Sequence, residues 1–105
     1  MYSIEKTDVF DKWLRKLKDQ RAKAKILFRI QRIEEQGNFG DCEPVGQGIR
    51  ELRIHYANGY RVYLKEYNGR VVLLLNGGTK SSQQKDIDKA KDLWLNYKDE
   101  LEDGN

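Results

Sequence analysis

The chain has one cysteine, one proline, one methionine and one histidine. A single thiol leaves nothing for an internal disulfide, and one cysteine with one histidine does not make a structural zinc site. No metal or cofactor is expected. No apolar run approaches the ~20 residues of a membrane span, and the opening Tyr2-Ser3-Ile4-Glu5-Lys6 lacks the apolar core of a signal peptide. The expected location is the cytoplasm.

What is present is charge and pattern. With 35% charged residues the mean hydropathy is −0.87, yet Val, Ile, Leu and aromatic residues recur at regular intervals, which argues against disorder. The 105 residues fit one domain, 1–105, with a single core. The net charge of +3 conceals an asymmetry. Between Asp11 and Arg32 the chain is dominated by Lys and Arg, whereas from Asp86 to Asp103 it is rich in Asp and Glu. A basic front suits a nucleic-acid or acidic-peptide partner, although a charge run on a helix is usually its solvated face.

Periodicity divides the chain. Tyr2 and Ile4 alternate with Ser3 and Glu5, as in a short first strand. Thr7 or Asp8 offers a helix cap, and Phe10, Trp13, Leu14 and Leu17 follow at helical spacing. Asp19 can cap a second helix striped by Ala22, Ile26, Ile30 and Ile33 and stopped at Gly37. Glycines and Pro44 then mark a loop containing a short edge strand near Glu43 to Val45.

Beyond Gly48 the period becomes two. Leu52, Ile54 and Tyr56 alternate with Glu51, Arg53 and His55; Tyr60, Val62 and Leu64 alternate with Arg61, Tyr63 and Lys65. A two-residue turn at Asn58-Gly59 mixes apolar and charged side chains on both faces. A three-residue loop, Ala57-Asn58-Gly59, pairs Tyr56 with Tyr60, Ile54 with Val62 and Leu52 with Leu64, and sorts the faces. It sets His55 opposite Arg61, Arg53 opposite Tyr63 and Glu51 opposite Lys65. A two-residue turn at Asn68-Gly69 pairs Leu64 with Leu73 and Val62 with Leu75. Val71 to Leu75 reads as a central strand, and Asn76-Gly77-Gly78-Thr79-Lys80 as its exit. Ser81 and Gln84 have capping-box spacing for a last helix with Ile87, Ala90, Trp94, Tyr97 and Leu101 inward. The fold class is α+β: strand, helical hairpin, antiparallel sheet of three to four strands, helix.

In this arrangement cations and rings share one sheet face, a surface suited to RNA. Metal-independent RNA cleavage uses the substrate's 2′-hydroxyl as nucleophile and asks the protein for a base, cations for the transition-state charge and an acid for the leaving 5′-oxygen. Arg53 and Arg61 supply phosphate-binding forks, Lys80 reaches in from the rim, and His55 is the candidate base. Tyr63, Lys65, Gln83 and Gln84 are candidate substrate-binding residues. The alternative for the arginines is pairing with acids such as Glu51 or Glu66, and a lone histidine on a sheet face is often ordinary surface.

Leu52-Arg53-Ile54, Gly59-Tyr60-Arg61-Val62-Tyr63, Val71-Val72-Leu73-Leu74-Leu75 and Gly77-Gly78-Thr79-Lys80-Ser81-Ser82-Gln83 together resemble the RelE/ParE superfamily of toxins from type II toxin-antitoxin modules, in its HigB-like, phage-derived branch. The resemblance covers nearly the whole chain. It implies a RelE-like, microbial RNase-type fold and a ribosome-dependent mRNA endoribonuclease held inactive by a cognate antitoxin. The partner it implies is a HigA-like helix-turn-helix protein, with DNA bound only indirectly through the pair. The family's basic positions fall on Arg53, Arg61 and Lys80. The ParE side of the superfamily binds DNA gyrase and cleaves nothing, and binding of RNA or antitoxin without cleavage is a third reading; fold likeness does not separate them.

Overall fold

The computed structural model describes residues 1–103. Strand β1 (Ser3–Lys6) leads into α1 (Asp8–Lys16) and α2 (Gln20–Gln36); β2 (Cys42–Gly46), β3 (Ile49–Ile54), β4 (Tyr60–Tyr67) and β5 (Val71–Thr79) follow, then a 3₁₀ turn (Lys80–Ser82) and α3 (Gln83–Asp103). The sheet has five strands in the order β1-β5-β4-β3-β2. It is mixed, because β1 lies parallel to β5 at the edge while the other pairs are antiparallel. No helix of the described residues is long and apolar enough to cross a membrane.

Local chemistry sets the helix ends. The Thr7 hydroxyl accepts from the Phe10 amide at 3.0 Å and donates to the Leu75 carbonyl, so one side chain caps α1 and ties it to β5. The Asp19 carboxylate accepts from the amides of Arg21 and Ala22. Gly37, at φ 65°, closes α2 in the left-handed conformation. The Glu5 carboxylate of β1 accepts from Tyr67 and Tyr97 at 2.5 and 2.7 Å, which fastens α3 to the sheet.

Both sheet faces are covered. Phe10, Ile26, Ile30 and Ile33 from the helical hairpin pack with Leu52, Val62, Leu64, Val72 and Leu74. On the other face Ile49, Tyr63, Leu73 and Leu75 meet Ile87 and Ala90, with Trp94 packed beside them. The expected exposed cationic face is therefore largely roofed by α3. Leu101, expected inside, is exposed.

Two registers differ from expectation. Ile54 pairs with Tyr60, Leu52 with Val62 and Arg53 with Arg61, so the connection is 55–59 rather than three residues. Tyr56 leaves the ladder, and its hydroxyl bonds to Asp19. The loop turns on itself, with the Gly59 amide bonded to the Tyr56 carbonyl and positive φ at Ala57 and Gly59. An offset of two leaves each residue on its expected face, because side chains alternate with period two. The β4–β5 link is 68–70, pairing Leu64 with Leu74 and Lys65 with Leu73. That offset of one turns Leu73 and Leu75 toward α3.

Leu75 is an extra residue in β5, lying between the Leu64–Leu74 and Tyr63–Asn76 pairs. Beyond it Gly77 and Gly78 stay in the strand rather than forming an exit loop. Each glycine makes room for a helix. A Cβ at Gly77 would overlap the Trp13 ring of α1, and one at Gly78 would overlap the Asp86 carboxylate of α3. Gly77→Ala is accordingly expected to destabilise the fold by about 1–3 kcal/mol, read as a lower urea midpoint; an unchanged midpoint would refute the close packing of Trp13. The capping box does not form, since Ser81 bonds to Thr79 and Gln84 to Asp88.

Candidate functional site

The first amide of the 3₁₀ turn docks onto the β3–β4 loop. Lys80 donates its backbone N–H to the Gly59 carbonyl at 2.9 Å, which brings the end of β5 beside the loop. Between them lies an open cleft of about 520 Å³ lined by His55, Arg61, Lys80 and residues 56–59. Three of the four expected catalytic residues thus share one cavity. Arg53 is cross-strand from Arg61 but lines a separate groove against Phe28, Ile54 and His55. His55 borders both spaces.

Glu51 gathers the neighbouring side chains, Arg61 of the cleft among them. It is 0% exposed, and side chains from three elements converge on its carboxylate. Arg53 Nε donates to Oε1 at 2.9 Å, Tyr63 donates its hydroxyl to Oε2 at 3.0 Å, and Gln83 Nε2 donates to Oε2 at 2.9 Å. Arg61 Nε stands 3.5 Å from Oε1, an ion-pair distance outside hydrogen-bond geometry. Burial pushes the Glu51 carboxyl up, but the hydrogen bonds from Gln83, Arg53 and Tyr63 and the Arg61 charge outweigh it, and the group sits below its ordinary range. Burial, then the neighbouring Glu51 charge, pushes the Tyr63 phenol well up.

Arg61 is only 12% exposed along its side chain, and its Nε and Nη1 are buried without hydrogen-bond partners. His55 differs. Its side chain is 76% exposed, and Nε2 is paired with Asp41 Oδ2. That hydrogen bond, more than the charge of the ring, holds the Asp41 carboxyl below its usual range. The Asp41 segment is itself pinned by Arg29, whose guanidinium donates to the carbonyls of Arg53, Phe39 and Asp41 at 2.6, 2.8 and 2.9 Å.

The expected substrate-binding residues do not gather at the cleft. Tyr63 is fully buried and bonded to Glu51, so it presents no ring for a base to stack on. Lys65 lies over the Trp94 ring at 5.3 Å, four residues along β4 from Arg61 and so roughly 13 Å away. Gln83 is held by Glu51, and Gln84 is exposed on α3. Sequence reasoning offered Glu51 only as an alternative pairing partner for the arginines and passed over Asp41 and Arg29 at the site. A signal existed only for Glu51, which stands two residues from Arg53 and hence on the same strand face. Asp41 and Arg29 reach the site through tertiary packing of a loop and a helix, which no local spacing records.

Residues 12–95 match the family described as phage-derived protein Gp49-like. A protein of Haemophilus influenzae described as uncharacterized is 59% identical over 88 residues, which is 84% of this chain and 88% of that protein. Among solved structures, a chain of the intact E. coli RelBE toxin-antitoxin complex superposes with a TM-score of 0.63 at 16% identity, covering 75% of this chain and 96% of that one. A chain of the Mycobacterium tuberculosis RelBE2 toxin-antitoxin complex gives 0.59 at 18% identity, covering 75% and 98%. At these identities the likeness is one of fold.

Proposed function

Because the chain belongs to the phage-derived Gp49-like family and has a RelE-like fold, we propose that it is the toxin of a type II toxin-antitoxin system, in the HigB-like branch, and cleaves mRNA at the ribosome. The observation that carries the reading is the cleft, where an exposed imidazole, an under-bonded guanidinium and an exposed ammonium line one open cavity.

In this reading a phosphodiester sits against Arg61 and Lys80. With Nε2 donating to Asp41, Nδ1 of His55 is the acceptor that takes the proton from the 2′-hydroxyl. The 2′-oxygen attacks the adjacent phosphorus, the bond to the 5′-oxygen breaks, and a proton from the Lys80 ammonium or solvent goes to that leaving oxygen. A 2′,3′-cyclic phosphate and a 5′-hydroxyl result. Arg61 and Lys80 meet the charge that builds on the phosphate oxygens. Arg53 acts from the neighbouring groove on the flanking backbone. No step calls for a metal.

The partner is a cognate antitoxin, of the HigA-like helix-turn-helix class. An exposed nucleolytic cleft in a free toxin calls for a protein that covers or distorts it. The setting of the reaction is the cytoplasm.

Induced expression with mapping of RNA 5′ ends tests the activity. New ends inside codons of translated mRNA are expected, with Lys80→Ala reducing them about tenfold, the effect of one rim charge on the transition state. Intact mRNA accompanied by DNA damage would instead favour a gyrase-binding toxin.

A further inference from the structure

The loop between α2 and β2 is held by a cation that spends its donors on backbone. Among the described residues Arg29 has no carboxylate partner. Its guanidinium donates instead to the carbonyls of Arg53, Phe39 and Asp41 at 2.6, 2.8 and 2.9 Å, although burial disfavours its charge. The Asp41 carbonyl is fixed a second time, by the Arg53 amide at 3.0 Å. Gly40 makes the close approach possible. Its φ is 65°, its amide donates to the Asn38 side chain, and a Cβ there would stand 3.0 Å from Arg29 Nη2.

What this clamp presents is the Asp41 side chain. The charges of Arg53 and Arg29 act on it from nearby, yet among the described residues its one ion-pair partner is His55, through Nε2. An ionised carboxylate only accepts, so Nε2 is the donor and Nδ1 keeps its lone pair. Both side chains are exposed, and a pair in that setting adds little to stability. Its effect falls on orientation. An imidazole without a fixed partner turns broadly about its terminal side-chain bond and exchanges its proton between the two nitrogens.

We propose that Asp41 and Arg29 are positioning residues for the His55 base: Arg29 holds residues 39–41 against the end of β3, and the Asp41 carboxylate so placed keeps the proton on Nε2 and leaves Nδ1 free for the 2′-hydroxyl. The proposal rests on the ribonuclease reading. Neither residue touches the reacting atoms; both act through the ring. In this arrangement the aim of the base is set by helix α2, through a guanidinium that reaches β3 and the loop at once.

The chain has one histidine, so nitrogen NMR of the full chain with labelled histidine reads the ring directly, at a pH where it holds a single proton. Wild type should show a hydrogen-bonded proton on Nε2, and Asp41→Ala should lose it. A proton on Nδ1 in the wild type, or a signal indifferent to Asp41→Ala, overturns the pairing. Single-turnover cleavage of a ribosome-bound message supplies the second readout. Asp41→Ala is expected to cut about tenfold more slowly, part of the ~10²–10⁴ that a positioned base contributes, with RNA affinity unchanged and the melting temperature kept, since the side chain is exposed. Asp41→Asn, whose amide oxygen still accepts, should recover part of the rate. An unchanged rate in Asp41→Ala overturns its positioning role. Arg29→Lys puts one point charge where a fork spanned three carbonyls, and should weaken the Nε2 proton signal and slow cleavage without loss of RNA affinity. Gly40→Ala, which crowds the guanidinium, should do the same. Both variants folded, with signal and rate intact, overturn the clamp. Failure of the ribonuclease reading appears separately, as a wild type that cuts no message while its Nε2 proton still depends on Asp41.

Discussion

Glu51→Ala is expected to lower the free energy of unfolding by about 3–5 kcal/mol, the effect of removing one partner from a buried ion pair. The carboxylate is completely enclosed, and its loss strands Arg61, which is itself mostly buried. It also strands the Tyr63 hydroxyl and the Gln83 amide. Glu51→Gln keeps the shape and loses the charge, so a smaller deficit is expected, about 1–3 kcal/mol. Acid sharpens the contrast. The folded Glu51 carboxyl lies below its ordinary range, so its stabilisation is complete above the unfolded value of roughly 4.3 and fades as pH falls through the folded one. Glu5, Asp11 and Asp41 are lowered as well and contribute equally to both proteins. Urea unfolding at neutral and acidic pH should therefore show the wild type losing more stability in acid than Glu51→Gln. Parallel pH curves, or a deficit in Glu51→Ala below about 1 kcal/mol, would remove Glu51 as the organiser of this cluster.

Arg61→Ala should do the reverse, sparing the fold and abolishing the chemistry. Two of the arginine's nitrogens lack hydrogen-bond partners, so its removal also removes buried, unsatisfied donors. Glu51 retains Arg53, Tyr63 and Gln83. A stability change within about 1 kcal/mol is expected from these opposing effects. Cleavage should fall about 10²–10³-fold, the scale on which a preorganised charge or donor acts on a developing oxyanion. Arg61→Lys should not restore it fully, because an ammonium lacks the planar fork. Single-turnover cleavage of a ribosome-bound message, read beside the melting curve, separates the two effects. A variant that is folded and fully active would dismiss the cleft.

Much of the scaffold was legible because its determinants are local. Thr7, Asp19 and Gly37 announce helix ends through their own side-chain and backbone chemistry, and the apolar stripes of α1 and α2 have the right period. The registers were less legible. Asn58-Gly59 looks like a short hairpin turn, but Tyr56 prefers the rim of the hairpin core and lengthens the loop to 55–59. The bulge at Leu75 leaves no mark in an unbroken apolar run. At the site, the cationic residue types were readable, and Glu51 was readable as an alternative partner for them. Arg53 and Arg61 do project together, onto that carboxylate, but its full burial and the convergence of Tyr63 and Gln83 on it were not readable. Tyr63 has the composition of a stacking platform, but α3 roofs it, and the reach of that helix over the sheet is a tertiary fact.

The bulge gives β5 one residue of slack. Leu75 and Asn76 both point toward α3, so the stretch before them and the glycine pair after them are each in phase with their own helices. Shortening the strand by one residue at this point would restore plain alternation and leave Gly77 under Trp13 and Gly78 under Asp86. The same deletion in any unbulged strand of the sheet would turn everything downstream inside out. β5 thus has a place where its length and the facing of its side chains are uncoupled, and that place lies shortly before the turn that carries Lys80 into the cleft.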